Sequence, residues 1–180
     1  TDGDILIAFA LLKAHEAWRE ELYRQKALPI IKDIRKELAW KKDGYLVLAP
    51  AYYGFENGAG LVINNGYMVF SAFEAFAKMD DRHFWQTVRK DSLRLLGRNK
   101  FSRFQLPADW VILKDGRLSV HSAQSPFFGY EAIRIPLYLT MAGEKEPLAQ
   151  FSDYLTFIKD LGYLPNRINL IEGTISADEA

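Results

Sequence analysis

Thr1-Asp2-Gly3-Asp4-Ile5-Leu6-Ile7-Ala8-Phe9-Ala10-Leu11-Leu12-Lys13-Ala14-His15-Glu16-Ala17-Trp18 opens the chain with two carboxylates one residue apart, then runs into an amphipathic segment. Ile5, Ala8, Phe9 and Leu12 recur at helical spacing, which predicts a helix from about Asp4 to Trp18 with one apolar face. Asp2 and Asp4 stand where unpaired N–H groups and the helix dipole favour negative charge. N-capping accounts for one of them. A single cap needs only one, and the long small-and-apolar face behind them suits a helix packed deep in a larger helical body.

Working outward, the chain has 180 residues, of which 49% are hydrophobic and 14% aromatic, enough for one domain with a real core. Lys+Arg and Asp+Glu both number 23, a balance that argues against a nucleic-acid or anionic-membrane partner. Cysteine is absent, so there is neither a disulfide framework nor a thiolate metal site. His15, His83 and His121 lack metal-ligand spacing, and no metal or other cofactor is expected. No run of about 18 apolar residues predicts a membrane span. No leader is visible, because Thr1 already lies within a motif.

Helical patterning resumes around Ile30, Ile31, Ile34 and Leu38, with Pro29 opening or kinking the helix. Lys41-Lys42-Asp43-Gly44 is a turn before an extended Tyr45-Leu46-Val47-Leu48. Pro50-Ala51-Tyr52-Tyr53-Gly54-Phe55 is an aromatic loop. It suits buried packing, or a platform for the apolar faces of pyranose rings. Leu61-Val62-Ile63 reads as a short strand, Asn64-Asn65-Gly66 as a turn, and Tyr67 to Ala77 as a helix. Asp80-Asp81 caps a helix reaching Leu96, with Gly97 placed to terminate it. Trp110–Leu113 and Arg117–Val120 flank Asp115-Gly116 as a hairpin. Helices follow over Glu131–Met141, with Pro136 awkward in its middle, and over Leu148–Leu161, ended by Gly162. The tail from Thr174 to Ala180 reads as frayed. About six helices in antiparallel pairs, joined by long loops, fit a bundle, a solenoid or a closed toroid.

Glu131 and Arg134 are three residues apart, so on a helix they share a face. A surface ion pair would explain them. Yet Ile133, Ile135, Leu137 and Leu139 around Arg134 predict a largely buried face, where charge needs a partner or a function.

The first eighteen residues resemble the signature of the family-8 glycoside hydrolases: Ser/Thr-Asp-Ala/Gly-Asp, then Ile/Met-Ala, aliphatics, Ala and a closing Phe/Trp. Phe128-Gly129-Tyr130-Glu131-Ala132-Ile133-Arg134-Ile135-Pro136-Leu137 resembles a second landmark, in which an Asp stands where this chain has Glu131. Ile63-Asn64-Asn65-Gly66-Tyr67 resembles a third, Asn-Pro-Ser-Tyr, with Pro-Ser replaced by Asn65-Gly66. Leu106-Pro107-Ala108-Asp109-Trp110 resembles Leu-Pro-x-Asp-Trp. The resemblance runs from Thr1 to about Leu164.

It implies a mainly α-helical (α/α)6 toroid, incomplete in this chain and lacking N-terminal helices, with residues 1–180 one part of a single catalytic domain. It implies an inverting endo-acting hydrolase of β-1,4-glucan, with Glu131 as general base and Arg134 and Tyr67 holding base and water. Asp2 would meet the sugar at the cleavage point. Tyr130, Trp110, Asp109, Asp4, Phe55, Tyr53 and Asn64 are the expected substrate contacts; for Trp110 and Asp109, a structural Trp and a turn Asp is the competing reading. The family's general acid, a Glu, precedes the first motif and falls outside these residues. A β-1,4-linked polysaccharide is the expected partner, with the segment preceding Thr1 as a second. The implied compartment is extracellular or periplasmic. A glucan-binding protein that kept the cleft and lost the chemistry is the alternative; a helical interaction scaffold is a third.

Overall fold

The computed structural model describes residues 1–176. Six of its helices have eight or more residues: α1 (Asp2–Trp18), α2 (Glu21–Asp33), α3 (Phe70–Met79), α4 (Arg82–Leu96), α5 (Arg134–Met141) and α7 (Ser152–Leu161), with α6 (Lys145–Leu148) a single turn. The strands are β1 (Ala39–Lys42), β2 (Tyr45–Leu48), β3 (Glu56–Asn57), β4 (Gly60–Ile63), β5 (Val111–Lys114), β6 (Arg117–Val120), β7 (Phe127–Phe128) and β8 (Ile168–Asn169).

Two-residue connections, Arg19-Glu20 and Asp80-Asp81, force α1 back along α2 and α3 back along α4. α3 packs against both α1 and α5. Ile5, Ala8 and Leu12 are buried on α1, and Phe70, Phe73 and Phe76 on α3. Trp85 on α4 stacks on Phe73, with ring centroids 5.9 Å apart, and meets Phe76 edge-on at 5.0 Å. Asp81 caps α4 by accepting the Phe84 N–H at 3.0 Å. Asp80 instead accepts from Arg35 Nε at 2.8 Å and the Trp85 indole at 3.1 Å, bracing the α3–α4 corner against the segment after α2. Burial raises the Asp80 carboxyl's pKa, but these donors and the Asp81 amide outweigh it, so the net shift is downward.

Several boundaries differ from expectation. α2 starts at Glu21 and carries Pro29 inside it. Ala27, Ile31 and Ile34 are fully or almost fully buried, and that packing offsets the proline's cost of about 3 kcal/mol. A five-residue π-turn, Ile34–Leu38, then feeds a hairpin in which β1 pairs with β2 around Asp43-Gly44. Gly97 caps α4 at φ −59°, a helical value, so no left-handed cap forms there. Asp115-Gly116 does make a tight hairpin turn, with φ of 49° and 70°. The hairpin is half of a larger sheet, ordered β3-β4-β5-β6, because β4 pairs antiparallel with β5. Pro136 is no defect: it is the third residue of α5, in the first turn, where N–H groups lack helical partners. Thr174 and Ile175 are not frayed: the Thr174 carbonyl accepts the Asn169 N–H at 2.9 Å, and Ile175 bridges Ile168. Ser176 is tied in as well, its N–H donating to the Arg167 carbonyl at 3.2 Å, and residues 177–180 of the expected frayed tail lie outside the described residues. No helix is long and apolar enough to cross a membrane among the described residues.

Candidate active site

The β4–β5 pairing builds one wall of the site. Ile63 faces Val111, so the residues just after β4 and just before β5 emerge at one edge. Those residues are Asn64-Asn65-Gly66-Tyr67 and Asp109-Trp110. Tyr67 closes a short 3₁₀ turn; the helix expected from Tyr67 starts at Phe70. The Asn64 side chain caps that turn by accepting the Gly66 N–H at 2.8 Å.

The second wall is the turn before α5. Glu131 lies in that turn and not on the helix. The Glu131 carbonyl accepts the Arg134 N–H at 3.3 Å. The face around Arg134 is only partly buried: Ile135 is 1% exposed and Leu139 0%, while Ile133 is 39% and Leu137 56% exposed. Arg134 itself is partly open, and its partners explain its charge better than burial does.

Arg134 joins two carboxylates that are 129 residues apart in sequence. One guanidinium nitrogen donates to Glu131 Oε2, the other to Asp2 Oδ2 at 3.1 Å. Asn64 Nδ2 donates to the same Glu131 oxygen at 3.3 Å. The three charged side chains are each between a quarter and a third exposed, open to a ligand yet held. Asp2 enters from the first turn of α1. The cap position belongs to Thr1, whose hydroxyl donates to the Ala49 and Pro50 carbonyls, both at 2.6 Å, so Asp2 is left free for Arg134. Asp4, one turn position on, is exposed.

An aromatic row continues from this cluster. The Arg134 guanidinium lies over the Tyr67 ring, 5.3 Å from its centroid. Tyr67 meets Trp110 edge-on at 5.7 Å, and Trp110 stacks on Phe55 at 5.9 Å and 13°. Burial first, and the Asp2 charge second, push the Tyr67 hydroxyl's pKa upward against the pull of Arg134. Tyr67 therefore stays a neutral donor and acceptor beside the carboxylates. Tyr53 and Tyr130 are 81% and 73% exposed, so their ring faces are available.

Asp109 is buried, and its carboxylate is occupied by the loop that carries Glu131. Oδ1 accepts the Gly129 and Ala132 N–H groups, both at 2.9 Å, and Oδ2 accepts the Ser125 hydroxyl at 3.0 Å. Burial raises its pKa, opposed by those three donors and by the charge of Arg134. Sequence reasoning missed Asn99, which is fully buried. Its amide donates to Asn65 Oδ1 at 3.0 Å and its oxygen accepts the Ala108 N–H at 2.9 Å, tying the two edge segments together. An Asn two residues beyond a helix-ending Gly gives no signal of that role. No cluster of three His, Cys, Asp or Glu able to hold a metal ion occurs among the described residues.

Paired helices, with a carboxylate pair and an aromatic row brought to one edge largely by the turns between them, define a mainly helical protein with an acidic and aromatic site. The family Glycosyl hydrolases family 8 matches over residues 1–176, and the chain belongs to it. It is 34% identical, over 98% of its length, to a probable endoglucanase of Novacetimonas hansenii, and 36% identical, over 78%, to an endoglucanase of Cellulomonas uda. It spans about half the length of these curated relatives, 52% and 39% respectively. Among solved structures it superposes on the family 8 endoglucanase of Klebsiella pneumoniae with TM-score 0.92 at 30% identity. The endo-β-1,4-glucanase CMCax of Acetobacter xylinum gives TM-score 0.93 at 31% identity. These alignments cover 99% of this chain, and 58% and 57% of those structures. The chain has the fold of part of the (α/α)6 barrel of these enzymes, with small hairpins between its helices.

Proposed function

We propose that the protein to which this chain belongs hydrolyses β-1,4-glucan within the polymer, with inversion. The observation that carries this is the single guanidinium of Arg134 holding Glu131 and Asp2 together beside the Tyr67–Trp110–Phe55 row. A carboxylate with an open oxygen, beside ring faces that can stack on sugar, suits water-mediated cleavage of a glycosidic bond.

In this reading Glu131 takes a proton from a water molecule. The water's oxygen bonds the anomeric carbon as the bond to the leaving oxygen breaks. A general acid outside these residues protonates that leaving oxygen; in inverting sites the two carboxyls stand about 6.5–9.5 Å apart to admit the water. Arg134, Asn64 and Tyr67 orient the base and the water. Asp2 accepts a hydroxyl of the sugar at the cleavage point, a bond that strengthens as the ring distorts. Trp110, Phe55, Tyr53 and Tyr130 stack on flanking sugars, and Asp4 reaches a hydroxyl at the rim. Residues 1–180 are part of one toroidal catalytic domain, completed by helices encoded before Thr1. A polymeric substrate cannot enter the cell, which supports a periplasmic or extracellular site of action.

The test is release of reducing ends from carboxymethyl-cellulose by the full-length gene product. Glu131→Gln should lower turnover by about 10²–10⁴-fold, the usual contribution of a positioned base, while cello-oligosaccharide binding survives. Retained turnover in Glu131→Gln would remove Glu131 as the base. Binding without turnover in the unaltered protein would leave a glucan-binding protein in its place.

A further inference from the structure

Asp109 sits in a motif that reads as a sugar contact, yet its surroundings assign it different work. Its Oδ1 accepts two backbone N–H groups, of Gly129 and Ala132, which bracket Tyr130 and Glu131. One oxygen atom thus staples both ends of the turn that presents the carboxylate. Oδ2 is held by the Ser125 hydroxyl, and the residue is 7% exposed. The Asp109 N–H donates to the Phe127 carbonyl at 2.8 Å, tying down the approach to the same turn. Asn99 in turn accepts the N–H of Ala108, the residue before Asp109, so the staple is itself held from a buried side chain.

A second contact grips the turn from the opposite segment. A Cβ added to Gly66 would fall 2.2 Å from the Glu131 carbonyl oxygen, so the turn is seated directly on that glycine. Gly129 is close-fitting too, though less so: a Cβ there would lie 2.9 Å from Asp109 Oδ2. With its backbone clasped by Asp109 and seated on Gly66, Glu131 has only its own side-chain torsions left, and Arg134 and Asn64 restrain those.

We propose that Asp109 is a positioning residue for the hydrolysis, acting through the Gly129 and Ala132 amides to hold the Glu131 turn, and that it does not bind sugar. This rests on the reading of Glu131 as the base. A misplacement of about 1 Å at a reacting group can cost on the order of 10²-fold in rate. Asp109→Ala in the full-length protein should therefore lower kcat by about 10²-fold, with KM changed less than about threefold. Asp109→Asn keeps an amide oxygen that can accept both N–H groups, so its kcat should stay within about tenfold of the unaltered protein. Cellotetraose should bind Asp109→Asn in the Glu131→Gln background as tightly as it binds Glu131→Gln alone.

Weakening of cellotetraose binding by tenfold or more would mark Asp109 as a sugar ligand and overturn the proposal. So would Asp109→Asn losing as much kcat as Asp109→Ala, or Asp109→Ala losing none. If Asp109→Ala fails to fold, the kcat and binding of Asp109→Asn decide by the same thresholds. Full turnover in Glu131→Gln would mark failure of the base assignment. Lost turnover there, with kcat intact in Asp109→Ala, would mark failure of the staple alone.

Discussion

Arg134 carries more of the site than either carboxylate it holds. Two separate nitrogens of one planar group reach Glu131 and Asp2, and the group's face covers Tyr67. A lysine ammonium can reach one carboxylate, cannot stack in the same way, and leaves the other partner unheld. Arg134→Lys is expected to lower kcat on carboxymethyl-cellulose by roughly 10²-fold, the scale of a misplaced catalytic group. Steady-state kinetics on the full-length protein checks this; a change under threefold would show that charge alone suffices at this position. The same residue shows what sequence can and cannot convey. Glu131 and Arg134 are visible as a pair because they lie three apart. Asp2 becomes their companion only through the packing of α1, α3 and α5, elements drawn from residues 2 to 141.

At the scale of elements, the aspartates at the α3–α4 corner divide two tasks that look alike in sequence. Asp81 caps α4 locally, and that role follows from its position before the helix. Asp80 bonds Arg35 and the Trp85 indole, partners 45 and 5 residues away. Its folded carboxyl is shifted below the ordinary value of 3.8. A lowered folded pKa means the unfolded chain binds the proton first as pH falls. The stability from Asp80 is thus present above pH 3.8 and is lost as pH drops through the folded value. Asp80→Asn should cost about 2 kcal/mol near neutral pH, a typical loss for a charged hydrogen-bond partner, and should flatten the acid side of the stability curve below pH 4. Urea unfolding across pH tests it; an unchanged acid limb would remove Asp80 as its source. The β elements were the least legible. Alternation marks Leu61–Ile63 and the Asp115-Gly116 hairpin as extended, but their union through β4 and β5 joins residues about 50 apart. No local pattern encodes a pairing at that separation. It is this union that brings Tyr67 beside Trp110.

For the whole molecule, the apolar residues left on the surface are informative. Ile7 on α1 and Leu137 on α5 are each 56% exposed, and both helices also furnish the carboxylate cluster or its arginine. If further helices of the full-length protein complete the barrel, they cover those positions. Leu137→Glu and Ile7→Glu in the full-length protein should then each cost more than about 2 kcal/mol, since each would bury an unpaired charge. Substitutions at truly exposed positions stay within about 0.5 kcal/mol, and such a result at both sites would contradict closure of the barrel over these faces. The helix pairs themselves were readable from periodicity and from caps such as Asp81. The exceptions have physical causes: Pro29 is tolerated because its neighbours are buried, and Pro136 because a first helical turn has no N–H to lose there.

If Glu131 activates water opposite the leaving group, the product must carry the inverted anomeric configuration. The most direct measurement is proton NMR of cellopentaose hydrolysis by the full-length protein at early times, reading the anomeric configuration of the new reducing end. The α-anomer should appear first and equilibrate later, with no product signal from Glu131→Gln. A β-anomer first would require a covalent intermediate and a carboxylate acting as nucleophile, and would contradict the account.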